Sequence, residues 1–124
     1  MKPEQFIRDF GVKKAREVVD GAPEGATHYE LNVDGDFYFK YQSFEWFFLG
    51  DGLMVRTYME DHETCHLMRL DDLKRLVESL DLVKAYGGIE SCKQSLYMLH
   101  ELTEDPEPIR EAVRDHESIY GGGQ

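Results

Sequence analysis

His28-Tyr29-Glu30-Leu31-Asn32-Val33-Asp34-Gly35-Asp36-Phe37-Tyr38-Phe39-Lys40-Tyr41-Gln42 is the stretch that decides the fold. Side chains along a strand alternate between faces, so Phe37, Phe39 and Tyr41 fall on one face and Tyr38, Lys40 and Gln42 on the other. Asp34-Gly35 is a strong local signal for a two-residue turn, because both central positions of such a turn need positive φ. The stretch therefore predicts a β-hairpin, with strands over His28–Val33 and Asp36–Gln42.

The same period continues downstream. Phe44–Leu49 reads as a third strand with Phe44, Trp46 and Phe48 on one side. Gly50-Asp51-Gly52 turns the chain, Leu53–Tyr58 runs back, and a fifth short strand is expected near Thr64–Met68. Connections this short permit only antiparallel neighbours. Residues 27–68 thus predict an antiparallel meander of four or five strands.

On both sides of the meander the apolar period lengthens to that of a helix. Upstream, Pro3 suits a first helical turn, Phe6, Ile7 and Phe10 share a face, and Val12, Ala15, Val18 and Val19 continue after Gly11. Asp20-Gly21-Ala22-Pro23 stops this helical pair. Downstream, Asp71-Asp72 places carboxylates at a helix start, and Leu73, Leu76, Val77 and Leu80 form an amphipathic stripe. Gly87-Gly88 ends that helix, and Ile89, Cys92, Leu96 and Leu99 mark the next. After Glu104-Asp105-Pro106-Glu107-Pro108, a last helix carries Ile109, Ala112, Val113, His116 and Tyr120 on one side.

A loose repeat marks the two helix breaks. Phe10-Gly11-Val12-Lys13-Lys14-Ala15-Arg16 returns as Tyr86-Gly87-Gly88-Ile89-Glu90-Ser91-Cys92-Lys93. Each copy is a helix that halts at glycine and restarts, so the repeat belongs to the scaffold. The expected architecture is a single α+β domain over residues 1–124. It has a helical pair over 1–20, the meander, helices over 71–120 packed on one face of it, and a frayed tail at 121–124.

A chain of 124 residues, 41% hydrophobic, can bury a core without staples. No apolar run approaches the roughly 20 residues of a membrane span. The opening Met1-Lys2-Pro3-Glu4-Gln5 has no apolar signal core, so a cytoplasmic protein with reduced Cys65 and Cys92 is expected, without membrane association. The net charge of −11 is unevenly spread. Residues 20–63 hold ten acids against Lys40 and Arg56, and residues 101–124 hold seven against Arg110 and Arg114. Residues 1–19 are mildly basic and residues 64–100 balance. Such a surface repels phosphates, so direct nucleic-acid binding is not expected.

Few constellations point to chemistry. Glu60-Asp61-His62-Glu63-Thr64-Cys65-His66 is dense in potential zinc ligands, but it lacks a second ligand pair. It reads instead as a polar loop entering a strand, with Cys65 inside and the histidines out. No motif exposes and activates a nucleophile around Cys65 or Ser91, and Gly50-Asp51-Gly52 is followed by neither lysine nor a helix start. No catalytic residue, metal or cofactor is expected. The aromatic residues have two readings. Phe37, Phe39 and Trp46 are expected to pack against helices, leaving Tyr38, Phe47 or Tyr58 exposed as docking aromatics among carboxylates.

Leu73-Lys74-Arg75-Leu76-Val77-Glu78-Ser79, Asp81-Leu82-Val83 and Tyr86-Gly87-Gly88-Ile89-Glu90 resemble a segment of small accessory proteins of lambda-like phages and prophages. The opening Phe6-Ile7-Arg8, Gly11, Ala15-Arg16 and Ala22-Pro23 through Ala26-Thr27-His28-Tyr29 is similar to the start of the same proteins. The resemblance covers about half the chain, and residues 30–66 lie outside it. It implies an early-region phage product acting on its bacterial host, and it carries no catalytic residue.

Charge and resemblance together predict a non-enzymatic protein that binds a host protein. An acidic face can occupy a site built for nucleic acid, which would inhibit a nucleic-acid enzyme or a defence factor. The candidate contacts are Asp34, Asp36, Asp51, Glu60, Asp61 and Glu63, with Glu101, Glu104, Asp105 and Glu107. The alternative is a small self-associating structural domain, a homodimer joined through the Ile109, Val113 and Tyr120 stripe.

Overall fold

The computed structural model describes residues 1–32, 35–101 and 107–121, and their side chains except at 99–101. The fold is α+β, with helices before and after an antiparallel sheet. The chain divides into two compact units, residues 1–74 and 75–124.

The first unit opens with α1 (Pro3–Phe10) and α2 (Val12–Asp20). Gly11 separates them at φ +89, a conformation that L side chains rarely adopt, and its N–H closes α1 on the Ile7 carbonyl at 2.8 Å. The sheet follows as β1 (His28–Asn32), β2 (Gly35–Gln42), β3 (Glu45–Gly50) and β4 (Leu53–Thr57). After a helical turn, α3 (Asp61–Thr64), the short β5 (Met68–Arg69) returns to pair with β1. The spatial order is β4-β3-β2-β1-β5, and every pairing is antiparallel.

The register sorts the side chains, because directly opposite residues share a face. Tyr29, Tyr38, Leu49 and Met54 line one face, and Glu30, Phe37, Gly50 and Leu53 belong to the other. The N-terminal helices lie on the Tyr29 face. Phe6 meets Tyr29 edge-on at 5.7 Å, and the Tyr38 hydroxyl donates to the Val18 carbonyl at 2.7 Å. Tyr29 is buried, and its hydroxyl donates to Asp36, which also pairs with Lys14 at 3.3 Å. Burial and the Asp36 carboxylate push the Tyr29 hydroxyl well above its ordinary range. Phe6, Ile7, Ala15, Val18, Tyr29, Leu49 and Met68 are among the buried residues of this unit.

Several expectations need correction. The fifth strand is present but covers only Met68–Arg69 rather than Thr64–Met68, since α3 ends at Thr64. A capping box explains α3, with Glu60 as its cap and the Glu63 carboxylate accepting from the Glu60 N–H at 3.2 Å. Cys65 is exposed rather than packed inside. Phe44 is in the β2–β3 turn, not on the face of Trp46 and Phe48. Tyr38 faces the N-terminal helices, whereas Phe37, Phe39 and Trp46 line the opposite face. β1 ends at Asn32, and Val33 and Asp34 lie outside the described residues.

The helix α4 (Leu70–Ala85) runs from the first unit into the second. It begins one residue before Asp71, whose carboxylate is held by Arg69 at 3.1 and 2.7 Å, a bond that keeps it below the usual carboxylate range. The second unit continues with α5 (Ile89–Glu101) and α6 (Glu107–Tyr120). Val83, Cys92, Ile109, Ala112 and Val113 form its core, with Leu82, Ile89 and Leu96 against it. Asp115, also buried, accepts from Ser79 at 2.6 Å and pairs with Arg75 at 3.4 Å.

Candidate protein-docking site

The face of the sheet opposite α1 and α2 has an aromatic floor. Phe48 lies edge-on to both Phe37 and Phe39 at 5.7 Å, and Trp46 packs between His28 at 4.8 Å and Tyr41 at 4.7 Å. Such tilted and edge-on contacts fix ring orientation. Alternation along β1 brings Glu30 and Asn32 onto the same face.

Above this floor the segment after β4 folds back over the sheet. A cavity of 580 Å³ lies between them, lined by Glu30, Phe37, Phe48, Tyr58, His62 and Glu63 among others. A smaller recess of 380 Å³ adjoins it, lined by Phe44, Glu45, Trp46, Arg56 and Tyr58 among others. Thr57, Tyr58 and Met59 border both. Tyr58 is 83% exposed and Phe44 92% exposed, so two large aromatics stand in solvent at the edge of an aromatic depression.

Phe44 has no local reason to be where it is. Ser43 and Phe44 both have positive φ, 53° and 65°, the geometry of a primed hairpin turn that Asn-Gly adopts without strain. A bulky residue in this region costs energy.

The electrostatics of the groove are one-sided. Glu30 and Glu63 line the larger cavity, and no lysine or arginine stands among its described lining residues. Glu60 pairs with His62 at 3.1 Å beside it. In the smaller recess Glu45 is paired with Arg56 at 3.1 Å. His28, under Trp46, is held below its ordinary pKa by burial and then by Arg69. Its Nδ1 lies 2.7 Å from the Thr27 hydroxyl, which also accepts the Tyr41 N–H at 2.9 Å. A neutral ring accepting the hydroxyl proton fits that arrangement.

The sequence-predicted acids do not form one patch. Glu60, Asp61 and Glu63 gather on and before α3, and of the three Glu63 lines the groove. Asp36 lies on the opposite face of the sheet, engaged by Tyr29 and Lys14. Asp51 occupies the β3–β4 turn at φ 52. Glu107 is in the second unit, bonded to Arg110 at 2.7 Å. Asp34, Glu104 and Asp105 lie outside the described residues, as does the side chain of Glu101. Glu30 and Glu45, which the sequence reading did not single out, do reach the groove. The period-2 alternation of β1 was the signal for Glu30.

Among the described residues no three of His, Cys, Asp and Glu converge on a point that could hold a metal ion. The exposed Cys65 thiol donates to the His62 carbonyl at 3.2 Å, and burial pushes the Cys92 thiol up, away from thiolate chemistry. Among the described residues no helix is long and apolar enough to cross a membrane. Compared with known proteins, the chain matches no family model, no curated sequence and no solved structure.

Proposed function

We propose that this protein is a non-enzymatic docking module that binds a host protein through the groove over Phe37, Phe39 and Phe48. The observation that carries the reading is the pairing of an aromatic floor with a rim of carboxylates and exposed Tyr58. Aromatic residues, tyrosine and tryptophan above all, are enriched among the residues that carry protein–protein binding energy. Carboxylates at the rim select a partner with a cationic face, steer its approach and fix its orientation. Proteins that hold nucleic acid present such faces, so the partner class is a nucleic-acid enzyme or a defence factor whose basic surface the groove covers. The resemblance of the helical segments to accessory proteins of lambda-like phages supports a prophage origin and action inside the bacterial cytoplasm.

The test is affinity capture from bacterial lysate with the wild-type chain and a Tyr58→Ala/Glu63→Gln variant side by side. A basic protein retained by the first and lost by the second supports the reading. Equal retention by both removes the groove from it. Self-association through the α6 stripe finds less support, because Ile109 and Val113 are buried within the second unit's own core.

A further inference from the structure

We infer that β4 is a self-pairing edge, through which two copies of this chain join antiparallel about a two-fold axis at Val55. β4 pairs with β3 on one side, and among the described residues no other strand or loop backbone pairs with its outer side. A free strand edge is a template for another strand, and proteins ordinarily blunt it with charge, proline, bulges or shortness. The other edge of this sheet is blunted, because β5 has only two residues. β4 is not. Its five residues are Leu-Met-Val-Arg-Thr, and Leu53, Met54 and Val55 are each at least half exposed.

The second copy fits this edge for three reasons. The first is charge. Two chains of −11 repel each other, and β4 is a stretch without a carboxylate, carrying Arg56 alone. The second is register. Centring the pair on Val55 sets Leu53 opposite Thr57 and Met54 opposite Arg56, so all five residues pair and no arginine meets its own copy. Moving the axis to Arg56 would oppose like charges, and moving it to Met54 would leave Thr57 unpaired. The third is shape. Leu53, 65% exposed, shares a face with Thr57, so each copy brings a leucine to the mouth of the recess lined by Trp46, Thr57, Tyr58 and Met59 on the other. The contact is isologous, the same patch used twice, which closes the pair and prevents open fibres.

Light scattering coupled to gel filtration on the full chain should give twice the 14.4 kDa chain mass, and Val55→Lys should return the mass to one chain. Val55 is half exposed, so the lysine leaves the fold intact, and an unchanged circular dichroism spectrum confirms this. In a Cys65→Ser background, Val55→Cys should cross-link with a short bis-maleimide, whereas Glu17→Cys on the exposed side of α2 should not. A wild-type chain that remains a monomer at its highest workable concentration overturns the inference. So does a dimer that survives Val55→Lys, or cross-linking at Glu17→Cys as efficient as at Val55→Cys.

Discussion

Ser43 and Phe44 form a two-residue hairpin turn in which both have positive φ and neither is glycine. Phe44 is 92% exposed, so no packing within the chain repays the strain. Phe44→Gly should therefore stabilise the protein by about 1 kcal/mol, because glycine takes this conformation without steric cost. The same change should weaken partner capture. A denaturant melt read with a capture assay checks both, and a loss of stability would mean that Phe44 packs in solution.

The second unit has a charged group in its interior. Asp115 accepts from Ser79 at 2.6 Å and faces Arg75 at 3.4 Å, with an exposure of 6%. Asp115→Ala leaves a buried hydroxyl without its acceptor, which should cost about 2 kcal/mol. Hydrogen exchange should localise the loss to α4, α5 and α6. Unchanged protection there would show that the pair adds nothing.

His28 gives stability a dependence on pH. Burial, and then Arg69, hold its folded pKa below the ordinary value of 6.5. The unfolded chain therefore binds more protons as pH falls below about 6.5, and His28's contribution, complete above that value, is lost progressively in acid. The melting advantage of the wild type over His28→Gln should be larger at pH 7.5 than at pH 5. An advantage that grows in acid would contradict the assignment of a neutral ring.

The fold was legible in the sequence wherever a period ran long enough to be read. The alternation through Phe37, Tyr38, Phe39 and Lys40 matches the observed register, and Gly11 and Gly87-Gly88 mark helix breaks where positive φ is found. What failed was local. Gln42-Ser43-Phe44-Glu45 contains no glycine or asparagine to signal positive φ, so Phe44 reads as the start of a strand, and only the φ values reveal the turn. Glu60 and Glu63 form a capping box that sets the helical turn α3 ahead of the fifth strand, which is only Met68–Arg69. The candidate groove was half legible. Aromatic and acidic residues were visible, but which face each occupies depends on which side α1 and α2 cover, and no periodicity encodes that choice. Asp36 illustrates the point, since its pairing with Lys14 joins residues 22 positions apart in sequence.

In the proposed function the acid-rimmed aromatic groove receives a cationic protein face. Trp46, the one tryptophan of the chain, lines the recess beside it and reports occupancy by its fluorescence. Titration with an arginine- and lysine-rich peptide should change its emission saturably, with an affinity that falls as salt is raised and weakens in Tyr58→Ala/Glu63→Gln. No response to the basic peptide, or the same response from the double variant, would contradict the account.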